Sequence, residues 1–307
     1  LAHALLLDKN DIGYIESSVL MKPHVAALAV RLMKHALQRV LNDVKTRELC
    51  VAAVRAFPGA VRYVPEAIQR EMSDVLTAAV WRKPYLLEFI EAQTEAMCIA
   101  AVSAAFDHQV LKLVKTQTPD VCLAAVKAQG KALKYMKAQT PDVCMAGVRS
   151  DPRSLRFVKD ATADLMAMAV TADPWCLQWV PPQLQTSAMC MAAVQVEPCA
   201  LQFVAAPTEA IVQAAVQTSP LSLVHVPRAL QTPELCITAV TANQDVLANV
   251  ATPTVDIGLA AVKAAPPQGA LCILKDAKLS TALQCDILAR WKAEDPEACA
   301  AAEAAFF

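Results

Sequence analysis

The sequence predicts an all-α protein, an α-solenoid of about twelve two-helix repeats that ends in a C-terminal helical cap. The first observation is a segment of about 23 residues that recurs along nearly the whole chain. The second is that each copy contains start signals for two short helices. The third is that the small and apolar residues of each copy recur at helical spacing. Helices this short are unstable alone in water, so each copy needs its neighbours, as in a solenoid.

The repeat is clearest in two consecutive segments, TPDVCLAAV at 118–126 and TPDVCMAGV at 140–148. We call the residue that aligns with their Cys the anchor. The anchors lie 22 to 26 residues apart, at Leu1, Ala26, Cys50, Leu76, Cys98, Cys122, Cys144, Met166, Cys190, Val212, Cys236 and Gly258. Three residues after every anchor stands Ala or Gly, and the next residue is Val in every copy except the first. The anchor, the small residue and the Val therefore predict the buried face of a short helix.

This first helix has a defined N-terminus in the sequence. A Thr precedes the anchor by four residues in nine copies, where its hydroxyl can cap free backbone N–H groups. In three copies Pro follows, at 119, 141 and 233, and then an acidic residue. Both residue types are favourable in the first turn of a helix.

A second helix is predicted to begin four residues after the Val. Pro stands at this place in six copies, at 58, 84, 152, 174, 198 and 220, and Gly130 takes it in another. The segment that follows has the pattern Leu-x-x-Val and is only one to two turns long. It fits either an α-helix or a 3₁₀ helix.

The repeats are predicted to occupy residues 1–274 and the cap residues 275–307. In the cap, residues 279–291 predict one longer amphipathic helix, and Asp295-Pro296-Glu297 begins an Ala-rich last helix. The first copy begins at its own anchor, Leu1, without the capping Thr. We therefore expect this copy to be incomplete and the polypeptide to continue upstream or to be processed there.

The aligned residues Thr-Pro-Glu-Leu-Cys236, Ala-Ala-Val126 and Ala-Leu-Lys-Tyr135 resemble a family of short helical repeats of unknown function. Its consensus is T-x-E-L-C-x-A-A-V-x-x-x-G-x-A-L-x-Y-V-P, and it occurs as tandem arrays in microbial and protist proteins. The unit is similar, more distantly, to the leucine-rich variant repeat, which pairs an α-helix with a 3₁₀ helix. Both resemblances imply an α-solenoid that serves as a binding or structural surface, and neither implies a catalytic motif.

Composition and motifs argue against several classes of function. The formal net charge is −1, and the six glycines form no phosphate-binding loop motif. No apolar block reaches the roughly 18 to 20 residues of a membrane span. Eleven cysteines form no C-x-x-C pair, which favours a reducing intracellular compartment, cytoplasm or organelle matrix, over secretion. We expect a soluble, non-enzymatic protein with no catalytic residues, no cofactor and no metal site.

Six cysteines share the anchor position, which raises the question of a shared metal site. Neighbouring helices pack roughly 8 to 10 Å apart, whereas zinc needs thiolates about 2.3 Å from the metal. Other copies place Leu, Met, Val, Ala or Gly at the anchor. The pattern therefore predicts buried structural cysteines.

The second helix contains a recurrent aromatic residue after a polar one, a pattern that we call the aromatic ladder. Its members are Tyr63, Phe89, Tyr135, Phe157, Trp179 and Phe203. Helical repeats that bind RNA use such polar and stacking residues, one base per repeat. The competing interpretation, which we favour, is that the rings pack between repeats while the polar side chains face water.

Charge is uneven along the chain, because residues 110–160 contain ten Lys or Arg against four Asp, whereas no Lys or Arg lies between Asp160 and Pro227. We call the following six residues the basic band: Lys112, Lys127, Lys134, Arg149, Arg156 and Lys159. It could dock an acidic protein surface or a phosphate backbone, or be an ordinary solvated face.

These features favour a protein–protein interaction scaffold or a structural subunit of a larger complex, since exposed apolar surface tends to mark interfaces. The partners are then other proteins. The alternative is an RNA-binding repeat protein that uses the basic band and the aromatic ladder. A third hypothesis places enzymatic chemistry in a domain upstream of Leu1.

Overall fold

The computed structural model describes Leu20, residues 22–277 and residues 279–306. In this part of the chain only helices form, with no strand, and successive helices pack against their neighbours in chain order. The prediction of an all-α solenoid is therefore confirmed. The predicted copy that begins at Leu1 lies outside the described residues.

The first helix of every described copy is a ten-residue α-helix whose fourth residue is the anchor. These helices are α1 (Pro23–Leu32), α3 (Arg47–Ala56), α5 (Ser73–Arg82), α6 (Glu95–Ala104), α7 (Pro119–Ala128), α8 (Pro141–Ser150), α9 (Ala163–Ala172), α10 (Ser187–Val196), α11 (Glu209–Thr218), α12 (Pro233–Ala242) and α13 (Val255–Ala264). Two shorter helices, α2 (Ala36–Arg39) and α4 (Glu66–Glu71), lie among them.

The predicted Thr caps are confirmed in all nine copies. Each Thr hydroxyl accepts a hydrogen bond from the backbone N–H three residues later, as Thr118 does from Val121 at 3.4 Å. The nine capping residues are Thr46, Thr94, Thr118, Thr140, Thr162, Thr186, Thr208, Thr232 and Thr254. Each cap satisfies a backbone donor that the first turn of a helix leaves free.

The second helix is a six-residue 3₁₀ helix in nine copies, which settles the choice that the sequence left open. These helices are η2 (Pro58–Tyr63), η3 (Pro84–Phe89), η4 (His108–Leu113), η5 (Gly130–Tyr135), η6 (Pro152–Phe157), η7 (Pro174–Trp179), η9 (Pro198–Phe203), η10 (Pro220–His225) and η12 (Gln244–Asn249). Shorter 3₁₀ turns form at η1 (Asn42–Val44), η8 (Pro182–Leu184) and η11 (Arg228–Leu230). In each six-residue helix the fourth residue is buried and the fifth is exposed.

Within a unit the α-helices pack against one another in one layer and the 3₁₀ helices in a second layer, as α6, α7 and α8 do beside η4, η5 and η6. The invariant small residue lies in the core between the layers. In the described copies it is at most 5 % exposed where it is Ala. A Cβ added to Gly147, its counterpart in α8, would lie 2.6 Å from Cδ1 of Leu133 in η5. The small residue therefore leaves room for the Leu of the preceding 3₁₀ helix.

Gly130 marks an equally close approach between backbones. A Cβ at this residue would lie 2.3 Å from the carbonyl oxygen of Gly147 and 2.7 Å from Oγ of Ser154. The nearer neighbour is a backbone atom, which cannot rotate away as the end of a side chain can, so the first position of η5 has no room for a larger residue than Gly.

The C-terminal helices α14 (Pro267–Asp276), α15 (Thr281–Glu294) and α16 (Pro296–Phe306) replace the α/3₁₀ pairing, and α13 packs against both α14 and α15. A Cβ on the last anchor, Gly258, would lie 2.2 Å from Cδ1 of Ile287 in α15. The predicted boundary between repeats and cap, at 274/275, falls inside α14.

The chain divides into two compact units, one ending at Ala161 and the other beginning at Thr162.

Among the described residues, no helix combines the length and the apolar character that a membrane crossing requires.

Candidate interaction surface

In each copy with a six-residue 3₁₀ helix, three positions are at least partly exposed, and we call the surface that they form within a unit the 3₁₀ face. They are the second and fifth residues of the 3₁₀ helix and the residue three positions further on. Because side chains at i and i+3 eclipse in a 3₁₀ helix, the first two lie one above the other. The layer therefore presents one short row of side chains per copy.

In three consecutive copies of the first unit this face is almost entirely cationic. We call these nine residues the cationic grid: Gln109, Lys112, Lys115, Lys131, Lys134, Lys137, Arg153, Arg156 and Lys159. All nine side chains are exposed, and eight of them are Lys or Arg. Four of these cations, Lys115, Lys131, Lys137 and Arg153, are missing from the predicted basic band. Their 22-residue spacing from other members, as in Lys115, Lys137 and Lys159, was the signal that could have identified them.

Contacts within the grid show that its rows adjoin. The Lys112 ammonium donates a hydrogen bond to Oε1 of Gln109 at 3.1 Å. The ammonium groups of Lys112 and Lys134, from neighbouring copies, lie 4.3 and 5.6 Å from the centre of the Tyr135 ring. At the end of the rows, the Lys115 ammonium forms an ion pair with Glu91.

The structure separates the predicted basic band into two groups. Lys112, Lys134, Arg156 and Lys159 belong to the cationic grid, which lies on the 3₁₀ layer. By contrast, Lys127 and Arg149 occupy the last turns of α7 and α8. Both line a shallow groove on the exposed side of the α layer, together with the following residues: Asp142, Met145, Ala146 and Ser150. The six residues therefore do not form one continuous surface.

All six members of the aromatic ladder are half-buried, and several ring faces are already in contact with the chain's own side chains. The Arg62 guanidinium lies 4.5 Å from the ring centre of Phe89 in the next copy. His108 stacks on Tyr135 with ring centres 5.5 Å apart, on the ring that Lys112 also contacts. Arg156 lies 4.6 Å from the ring centre of Phe157. These cation–π and stacking contacts use faces that a base would need.

The prediction that the six anchor cysteines are buried is confirmed. They are at most 6 % exposed, and all eleven cysteines of the chain are free thiols. Burial raises the pKa of the Cys50 thiol to about 11, against a smaller opposing effect of the Lys45 ammonium. Within the described residues, no group of three or more His, Cys, Asp or Glu side chains is placed to hold a metal ion.

A row of glutamines joins adjacent copies, and the sequence analysis missed it. The side-chain amide of Gln93 donates to the carbonyls of Leu87 at 3.0 Å and Leu113 at 2.9 Å, and its Oε1 accepts from the N–H of Lys115 at 2.9 Å. Gln69, Gln117, Gln139 and Gln185 make equivalent bonds. The detectable signal was Gln five residues before the anchor in five copies, at 93, 117, 139, 185 and 231.

In three copies of the second unit, those of η7, η9 and η10, the 3₁₀ face is neutral and partly apolar. Three copies place these residues at its three positions: Trp175, Gln178 and Pro181; Cys199, Gln202 and Ala205; Leu221, Val224 and Pro227. The last three form what we call the apolar row. Leu221 is 55 % exposed and Val224 is 56 % exposed. The chemistry of this face therefore changes along the chain while the framework beneath it stays constant.

Comparison with protein-family models, with curated proteins and with solved structures yields no match. What the structure itself establishes is a tandem array of short helices in which α-helices alternate with 3₁₀ helices.

Proposed function

We propose that the chain is a non-enzymatic interaction scaffold, or a structural subunit of a larger assembly, that binds another protein. The observation on which this proposal depends is the apolar row on η10. Leu221 and Val224 are each more than half exposed, at positions where the three copies of the cationic grid place Lys, Arg or Gln. Large exposed apolar side chains are characteristic of protein interfaces, where their burial contributes to binding.

Within each repeat, the residues that stack the copies are different from those that face outward, and this difference supports the same proposal. The anchor, the small residue, the Val and the Thr cap are used for stacking and for ending the helices. The 3₁₀ face has no such role in most copies, and its residues differ from copy to copy. A solenoid with a constant core and a variable face suits the recognition of a partner along its length.

We infer membership of the family of short helical repeats whose consensus the TPELC and AAV segments resemble. We also infer a reducing compartment, because all eleven cysteines are free and most are buried. Base reading by the aromatic ladder is the less favoured function, because cations and His108 occupy several ring faces.

Crosslinking mass spectrometry on the full chain in its native extract tests the scaffold role. We expect crosslinks to another protein close to η10, and loss of that protein in the variant Leu221→Asp, Val224→Asp. The substitutions place two carboxylates where an apolar partner surface would exclude water. Burying an unpaired carboxylate costs free energy, so the partner should bind more weakly.

Val196→Asp is the matched control, since Val196 is 71 % exposed but lies at the end of α10, in the other layer. It should leave capture unchanged. A chain that stays monomeric and captures no protein contradicts the proposal, as does equal capture by the double variant.

A further inference from the structure

We propose that the cationic grid binds the phosphate backbone of a single-stranded nucleic acid without reading its bases. This function goes beyond the scaffold role, because it lies in the first unit and uses none of the residues of the apolar row. Either function can fail while the other holds.

The cationic grid has a high density of like charge. Eight of the nine exposed positions of the grid are cations, and none is an acid. Residues 1–161 contain 22 Lys or Arg and 16 Asp or Glu, a net charge of +6, whereas residues 162–307 contain 6 and 13, a net charge of −7. Concentrated positive charge of this kind attracts polyanions and displaces the counterions that surround them.

The rows of the grid are regularly spaced. Residues three apart in a 3₁₀ helix rise about 6 Å along its axis, at about 2 Å per residue. Packed neighbouring helices lie roughly 8 to 10 Å apart, and η4, η5 and η6 pack side by side. The grid thus offers closely spaced cations in both directions, which a flexible strand can follow with successive phosphates.

The residue types of the grid favour a phosphate backbone over a protein surface as its partner. Six of the eight cations are Lys, a residue that is depleted in protein–protein interfaces. Lysine ammonium groups and arginine guanidinium groups are, in contrast, the usual partners of phosphate oxygens. The grid therefore fits a phosphate backbone better than an acidic protein partner.

Stacking of bases on the aromatic rings beneath the grid is disfavoured. Tyr135 and Phe157 lie beneath the grid, but Lys112, His108 and Arg156 cover faces of these rings. Stacking of bases on the rings would require these side chains to move away. Binding through phosphates alone predicts little preference among sequences.

Fluorescence anisotropy with labelled 20-nucleotide oligouridylate and oligocytidylate, each titrated with the full chain across a salt series, tests the proposal. We expect both oligonucleotides to bind with affinities within about threefold of each other, and log Kd to rise linearly with log salt. The variant Lys131→Gln, Lys134→Gln, Lys137→Gln removes the central row. Three lost contacts should reduce the salt slope by about 2 and weaken binding roughly 100-fold at 0.1 M salt, at about 0.7 per contact for single strands.

The matched control is Arg55→Gln, Lys127→Gln, Arg149→Gln, which removes the same charge from the last turns of α3, α7 and α8. It should change affinity by less than about threefold, and both variants should melt like the wild-type chain. Equal weakening by the two variants overturns the proposal, because it indicates attraction by net charge alone. So do a lack of binding, a flat salt dependence, or equally tight binding of polyglutamate or of vesicles rich in phosphatidylserine.

Discussion

At the scale of single residues, the repeat assigns each position a distinct physical task. The anchor and the Val fill the core, the Thr caps the helix, and the small residue lets a Leu from the preceding 3₁₀ helix approach. Gly147 shows the closeness of this approach, since an added Cβ would overlap Cδ1 of Leu133. The invariance of the small residue along the sequence is therefore a packing constraint.

The small position should not accept a larger side chain. Ala125 is 3 % exposed, so Ala125→Leu has to displace its neighbours in the core. We expect the free energy of unfolding to fall by about 1 to 3 kcal/mol, measured by urea denaturation. Ala128→Leu, at the exposed end of α7, should change it by less than about 0.5 kcal/mol. Equal effects of the two substitutions would contradict the assigned register.

The buried anchor cysteines should make stability depend on alkaline pH. Burial raises the Cys50 pKa to about 11 from its ordinary value of 9.0. The folded chain therefore holds the thiol proton more tightly than the unfolded chain does. The resulting stability is fully present below pH 9 and is lost as the pH rises toward 11. Burial raises the pKa of the other anchor thiols too: Cys98, Cys122, Cys144, Cys190 and Cys236.

Urea midpoints of the reduced chain between about pH 8 and pH 10.5 measure this loss. Cys50→Ala should lose less stability over that range than the wild-type chain, because one of the thiols that titrate is gone. An identical decline in the two proteins would show that the Cys50 thiol does not contribute.

At the scale of elements, the glutamine row joins each copy to the next more specifically than apolar packing does. Gln93 satisfies two carbonyls and one N–H, drawn from two adjacent copies. Five residues before the anchor of α3 stands Lys45 in place of Gln. Its ammonium donates a hydrogen bond to the carbonyl of Tyr63 at 2.9 Å, and so replaces one of the glutamine's bonds. A polar side chain at this position thus fixes how adjacent 3₁₀ helices align.

Loss of one such glutamine should be costly. Gln93→Ala removes the partner of two carbonyls in part-buried hydrogen bonds and of one exposed N–H, so we expect a loss of about 1 to 3 kcal/mol in the free energy of unfolding. Gln195→Ala removes an amide from the exposed end of α10 and should have little effect. Similar urea midpoints for the two variants would mean that water replaces the glutamine without cost.

At the scale of the whole molecule, contacts run mainly between neighbours in the sequence. α7 packs against α6 and α8, and η5 packs against η4 and η6. The stability of such a solenoid is approximately the sum of contributions from each repeat and from its contacts with adjacent repeats. A destabilising substitution in one repeat should therefore affect mainly that repeat and its neighbours.

Hydrogen–deuterium exchange of the Ala125→Leu variant tests this locality. Amides of α6, α7 and α8 should exchange faster than in the wild-type chain, because Ala125 supports this part of the stack. Amides of α12 and α13 should exchange at unchanged rates. Faster exchange throughout the described helices would indicate a single cooperative unit instead.

Charge is also a property of the whole chain, and here the sequence was only partly sufficient. A net charge of −1 conceals a first unit of +6 and a second unit of −7. The sequence located the excess of Lys and Arg between residues 110 and 160. The predicted basic band combined Lys127 and Arg149 with Lys112, Lys134 and Arg156. The first two lie on α-helices and the other three on 3₁₀ helices, so the two groups belong to different layers.

The sequence by itself determined the repeat, the buried face, the nine Thr caps and the all-α solenoid, because these depend on local spacing and on residue types that recur in every copy. Tertiary structure decided what depends on contacts between copies. It selected the 3₁₀ helix over the α-helix, positioned Gln93 and its equivalents between backbones, and placed Ile287 against Gly258. It also gathered Lys115, Lys131, Lys137 and Arg153 into the cationic grid, because stacking brings together residues that lie 22 positions apart in the chain.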